Sequence, residues 1–292
     1  MPGVDGNAVL YHHLQKSLPV EDIWFSRMVV GRLVDGLAVW FHPDAYEALP
    51  IVRPYIVRCP DCRRPVDEWG SPNGAGYLRD DNSLIKGLPA SLRIASTKEY
   101  LNNKKIGNGW VASHIWQFRN DGTFSTRDHT TNSFIPNLVW LPQWLAKLSD
   151  RADSFVQEYL KALSYKIFRA RSLTDPLKEI VDDIWATLDK PDLPQEALPN
   201  TGTLNFFEFD GQWANRYRHK AIEVQSVIKA VRSNQNSDIR LQPRRYNDLA
   251  NLSPHSLGPI DRWLDGYLNS LPPSVASSHV QLSSSILRVR SG

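Results

Sequence analysis

His114 is the residue whose type and setting first raise the prospect of chemistry. It closes a short apolar run, Trp110-Val111-Ala112, that follows Gly107 and Gly109. A neutral imidazole, with an ordinary pKa near 6.5, can take a proton from water at neutral pH. The run reads as a buried strand, so His114 is either a hydrogen-bonded core histidine or a general base beside a metal. Cys59 and Cys62, in "RCPDCRRPVDEWG", form a second candidate. Two thiolates at this spacing can chelate one tetrahedral Zn²⁺, but a closed site needs four ligands and the chain has no other cysteine. A redox pair and two plain thiols in a turn are the other readings.

The stretch around His114 continues with a polar loop and then Asn137, which opens "NLVWLPQWLAKLSDR". A strand ending in Ala112-Ser113-His114-Ile115, a loop, and an Asn-Leu-Val run leading into a helix that ends at Asp150-Arg151 resembles the HNH nuclease motif, the ββα-metal finger. The resemblance covers residues 108–151, and the larger body around it is similar in plan to a type II restriction endonuclease. It implies hydrolysis of phosphodiester bonds, with Mg²⁺ or Mn²⁺ neutralising charge on the phosphorane and the leaving oxygen. His114 would be the general base. Asn137 would bind the metal or fix the loop that carries the histidine, and Asp150 and Asp128 would be metal ligands. Structural Zn²⁺ at Cys59 and Cys62 accords with the same family. Two positions depart from the pattern. Ser113 stands where many members place an Asp or His just before the base. Ala146 stands where the best-fitting subfamily places a third histidine. Asp121, Asp128 or His129 could supply the missing ligand. Otherwise the motif is degenerate, and the chain is a non-catalytic nucleic-acid-binding protein.

Double-stranded DNA as partner is what the resemblance implies, with a homodimer to cut two strands of a palindrome. The charge distribution bears on the same point. Arg58, Arg63 and Arg64 flank the cysteines; Arg216, Arg218, His219 and Lys220 form a second basic cluster; Arg240, Arg244 and Arg245 form a third. Arg, Asn and Gln side chains read base edges, and "RSNQNSDIRLQPRR" is rich in all three, so it is the expected contacting segment. A solvated polar loop is the plain alternative. Asp81 and Lys86 lack the spacing of the Asp and Glu/Asp-x-Lys sites of other nucleases. "GSPNGAG" lacks the Lys-Ser/Thr of a phosphate loop.

The elements that must hold these residues are mostly helical. The expected class is α+β, a mostly helical protein with an embedded ββα element near residues 108–140. Helices are expected in the first 50 residues and at 151–172 from apolar residues near helical spacing, and also at 43–49, 96–105, 175–189, 213–232 and 258–271. Asp175 and Pro176 mark one helix start. A terminal strand is expected after Val280. The expected divisions are 1–107, a helical region with the cysteine knuckle; 108–151; and 152–292, with a Pro-rich linker at 189–202. Of 292 residues, 41% are hydrophobic and 22% charged, a globular rather than disordered composition. The net charge of +3 is too modest to define a partner. No apolar run is long enough for a membrane span. With two cysteines and no secretory pattern at Met1-Pro2-Gly3, a cytoplasmic protein is the expectation.

Overall fold

Val39-Trp40-Phe41 is apolar at three successive positions, the mark of a strand covered on both faces rather than one. In the computed structural model, which describes residues 20–58, 71–150, 154–233, 249 and 252–273, this run is β1 (Val39–Phe41). It follows helix α1 (Val20–Leu37) and precedes α2 (Pro43–Ala48). The remaining strands are β2 (Ile56–Val57), β3 (Leu78–Arg79), β4 (Ile94–Ala95), β5 (Trp110–His114), β6 (Leu138–Pro142) and β7 (Asn205–Phe207). Helices α3 (Ser83–Lys86), α4 (Gln143–Ser149), α5 (Phe155–Phe168), α6 (Asp175–Ala186), α7 (Gly211–Arg232) and α8 (Pro254–Ser270) complete the described elements. The class is α+β, about 49% helix and 12% strand.

One mixed sheet runs in the order β4-β7-β1-β6-β5, and β2 pairs with β3 beside it. β1 pairs parallel to β7, Val39 with Asn205 and Phe41 with Phe207, and antiparallel to β6, Val39 with Trp140. The sheet therefore draws strands from all three expected divisions, and the boundaries at 107 and 151 do not separate independent cores. Nor is 189–202 a free linker. Leu198 is buried, Leu193 packs on the core, and the Asp189 carboxylate meets the Lys161 ammonium at 2.6 Å. The core centres on Phe41, whose ring lies 5.1 Å from those of Trp140 and Trp213 and 5.5 Å from that of Phe207. Trp140 and Trp213 satisfy their indole N–H groups on the carbonyls of Lys86 and Leu88, as buried tryptophans must.

Capping explains where the long helices begin. Ser154, Asp210 and Ser253 each accept a backbone N–H of the first turn of α5, α7 and α8. Residues 96–105 form turns instead of the expected helix. Ser96 donates to Asn205 Oδ1 at 2.7 Å, and Asn102 accepts from Ser96 N at 3.2 Å. These polar contacts outbid the helical backbone pattern, and Asn103 turns the chain back at φ 59°. Cys59, Cys62, Arg63, Arg64, Arg240, Arg244, Arg245 and the stretch beyond Val280 lie outside the described residues. Among the described residues no helix is long and apolar enough to cross a membrane.

Candidate active site

Five residue pairs join β5 to β6, from Trp110 opposite Pro142 to His114 opposite Leu138. α4 starts at the residue after β6 and packs on β5. The result is a ββα unit at the edge of the sheet. Gly109 takes φ 79° to enter β5, and its carbonyl accepts the Gln143 N–H at 2.8 Å, closing the start of the helix onto the start of the strand.

The loop between the strands, residues 115–137, is held from inside by Asn137. Its Oδ1 accepts the Trp116 N–H at 2.7 Å. Its Nδ2 donates to the Thr131 carbonyl at 3.0 Å and to Ser125 Oγ at 3.2 Å. The Asn137 carbonyl takes the Ile115 N–H at 3.0 Å. Outside, the loop is tied to β2 and to the residues on either side of it. Ser133 accepts Arg53 N at 2.8 Å, Asn132 Nδ2 donates to the Ile56 carbonyl at 3.1 Å, and the Arg58 N–H reaches the Thr126 carbonyl at 2.7 Å. Tyr267 of α8 braces that segment by bonding both the N–H and the carbonyl of Ile51.

This frame fixes one ring. His114 Nε2 lies 2.9 Å from the Asn132 carbonyl. A carbonyl only accepts, so Nε2 carries the hydrogen and Nδ1 carries the lone pair. Burial lowers the pKa of His114 to about 4, helped by the nearby Arg58 charge and opposed by the bond to Asn132. The ring is therefore neutral, in one tautomer, with Nδ1 as its basic atom. His114 lines a cleft of about 430 Å³, whose walls also include Arg58, Asn82, Gln143, Lys147 and Asp150. Asp150 is pushed up by burial and held back by Arg58, so one guanidinium acts on both His114 and Asp150.

The proposed Mg²⁺ ligands do not meet there. Asn137 is fully buried with its amide turned to the loop, which makes it a staple and not a ligand. Asp128 is spent on the loop as well, taking Arg119 Nη1 at 2.8 Å and Thr130 N at 2.8 Å, and it does not line the cleft. Asp121 binds its own turn through Thr123. Asp150 alone of the expected ligands reaches the cleft. Ser113 is buried and Ala146 offers no donor atom. Among the described residues no three His, Cys, Asp or Glu side chains form a metal-binding group. A wall with one carboxylate, Asp150, and two cations, Arg58 and Lys147, fits a divalent cation poorly and an anion well.

Two further residues were misjudged or missed. Asn82, in left-handed conformation at φ 76°, donates to the Ala112 carbonyl at 3.3 Å and joins the cleft wall from outside the ββα unit. Its neighbour Asp80 is buried and accepts Leu84 N at 3.0 Å, a structural role. Arg218 gives its guanidinium to the carbonyls of Pro272 and Leu268 at the end of α8, so it braces the fold. Arg216 is exposed, beside a separate depression of about 340 Å³ lined by Arg53, Tyr217 and Lys220. No family model, curated protein or solved structure matches this chain.

His129 lies away from the cleft, stacked on Tyr77 with ring centroids 4.1 Å apart and edge-on to Trp263 at 4.5 Å. Burial lowers it to about 4, with Asp128 opposing and Arg119 assisting. Above pH ~6.5 neither the folded nor the unfolded chain protonates this ring. Between ~6.5 and ~4 only the unfolded chain takes the proton, so stability falls as pH falls. His114 acts in the same direction, and Asp80, raised to about 6 by burial, acts oppositely. His129→Phe keeps the stack and removes the titration. Its loss of stability from pH 7 to 4.5, read from urea midpoints, is expected to be ~2 kcal/mol smaller than that of the wild type.

Proposed function

We propose that this chain is a phosphodiesterase acting on duplex DNA, an endonuclease of the HNH type and of the restriction class. One observation carries the reading: a neutral imidazole, fixed through Nε2 and basic at Nδ1, lines a cleft with Arg58 and Lys147 on a ββα unit. Nδ1 takes a proton from water as the water oxygen attacks phosphorus. The bond to the leaving ester oxygen breaks, and that oxygen is protonated from solvent. Exposed Arg216 and the arginines at 240, 244 and 245 are the proposed DNA contacts. A twofold dimer would bring one cleft to each strand. The buried Ser113 and donorless Ala146 favour a second reading, a module that binds nucleic acid without cutting it.

The two readings part on one experiment. The purified chain is incubated with long duplex DNA of mixed sequence, in Mg²⁺, in Mn²⁺ and in chelator. Discrete fragments are expected. Retarded but intact DNA under every condition selects the binding module. DNA neither cut nor retarded removes both.

A further inference from the structure

We infer that the cleft holds the scissile phosphodiester between Arg58 and Lys147, and that these side chains supply the positive charge for which the resembling nucleases use a metal. The inference rests on the phosphodiesterase reading and deepens it. Arg58 and Lys147 line the cleft from separate elements, one from the residue after β2 and the other from α4. Arg58 is anchored at its own backbone by the 2.7 Å bond to the Thr126 carbonyl, which ties it to the loop that Asn137 staples. Arg58 lines the same wall as His114 and as Asp150, the only acid that lines the cleft among the described residues, and its charge acts on both.

The residues beside it agree. Ser113 and Ala146 occupy the positions at which the motif would set metal ligands, and neither presents a charged donor. Gln143 and Asn82 add neutral polar groups to the wall. A guanidinium presents a planar fork of N–H donors that pairs two phosphate oxygens at once, and a lysine ammonium adds a point charge. Charge fixed in place before reaction stabilises the phosphorane without reorganisation. The step balances without a cation. Water loses a proton to His114 Nδ1 as its oxygen bonds to phosphorus, the bond from phosphorus to the leaving oxygen breaks, and solvent protonates that oxygen. The imidazolium then returns its proton to water.

The test uses the full chain freed of metal with EDTA, a long duplex DNA, and the variants Arg58→Ala and Arg58→Lys. Wild type is expected to cleave in EDTA at a rate close to that in Mg²⁺. Arg58→Ala is expected to lose about 10²–10³-fold, with part of the loss restored in Arg58→Lys. Cleavage confined to Mg²⁺ or Mn²⁺ overturns the inference and leaves the phosphodiesterase reading standing. Absence of cleavage in every condition overturns both. A second measurement follows the His114 ring resonances during titration with inorganic phosphate in EDTA. A shift in wild type that is absent in Arg58→Ala supports the site, and a shift that requires Mg²⁺ overturns it.

Discussion

His114→Ala is expected to lower phosphodiester cleavage by about 10²–10⁴-fold while the protein remains folded. The ring hydrogen-bonds from Nε2 to the Asn132 carbonyl. Its removal leaves that carbonyl beside an open cleft, where water can replace the lost donor. The cost to stability is the lost hydrogen bond, ~1 kcal/mol, together with the packing lost around a buried ring, and unfolding midpoints check it. A merely structural histidine would show the same small loss and no kinetic signature. A base shows two more. Because burial and Arg58 hold the ring near pKa 4, kcat/KM stays level from about pH 7 down to about 5, whereas a histidine with the ordinary value would lose half its activity near 6.5. Added imidazole enters the space left by the ring and restores part of the activity of His114→Ala. The same acid limb in the variant as in the wild type, with no rescue by imidazole, would remove His114 from the reaction.

The phosphate itself changes this titration. A bound anion beside Nδ1 favours the charged imidazolium and draws the pKa up toward neutrality. The ring is then a stronger base in the complex than in the free protein. The acid limb of kcat should consequently lie at higher pH than that of kcat/KM, which separates a base that faces substrate from one that titrates unseen.

What could be read in the sequence follows from the range of the forces involved. The ββα order came from local signals. An apolar run, a polar loop with its Asp121-Gly122 turn, and a second apolar run leading into a helix are all written within 44 residues. Helices α5 to α8 were legible for the same reason, since spacing and caps act within a few turns. Arg58 and Asn82 were not legible as wall residues. Each reaches the cleft through pairing across long stretches of chain, Arg58 through Thr126 and Asn82 through Ala112. Arg58 looked like one more charge beside Cys59. The sheet was unreadable in full because β1 and β7 are three residues each and pair in parallel across a long stretch of chain, Val39 with Asn205. The expected helix at 96–105 failed because Ser96 and Lys98 both bond Asn205, a partner no local pattern reveals.

Asn137 shows how a residue of the right type can serve in a different way from the one first read. Asn137→Ala is expected to cost ~3–5 kcal/mol, enough to unfold a marginal protein. It strands the Trp116 N–H in the interior and takes one partner each from Ser125 Oγ and from the Thr131 carbonyl, which keeps the Phe134 N–H at 3.4 Å, and a buried polar group left unpaired costs ~1–3 kcal/mol. Urea unfolding reads the loss as a shifted midpoint. Asn137→Asp separates the staple from a ligand. A carboxylate would keep or strengthen a hold on a cation. In the staple it retains the acceptor for Trp116 but loses both donors, and it buries a charge against the Thr131 carbonyl, so Asn137→Asp should be at least as destabilised as Asn137→Ala. Thr131 adjoins Asn132, whose carbonyl sets the tautomer of His114. Activity should therefore fall together with stability in both Asn137 variants. Amide exchange should quicken across residues 115–137 before it does so in β1 or α5. In His114→Ala, by contrast, activity falls and the loop stays closed, so the two substitutions divide the frame of the site from its chemistry.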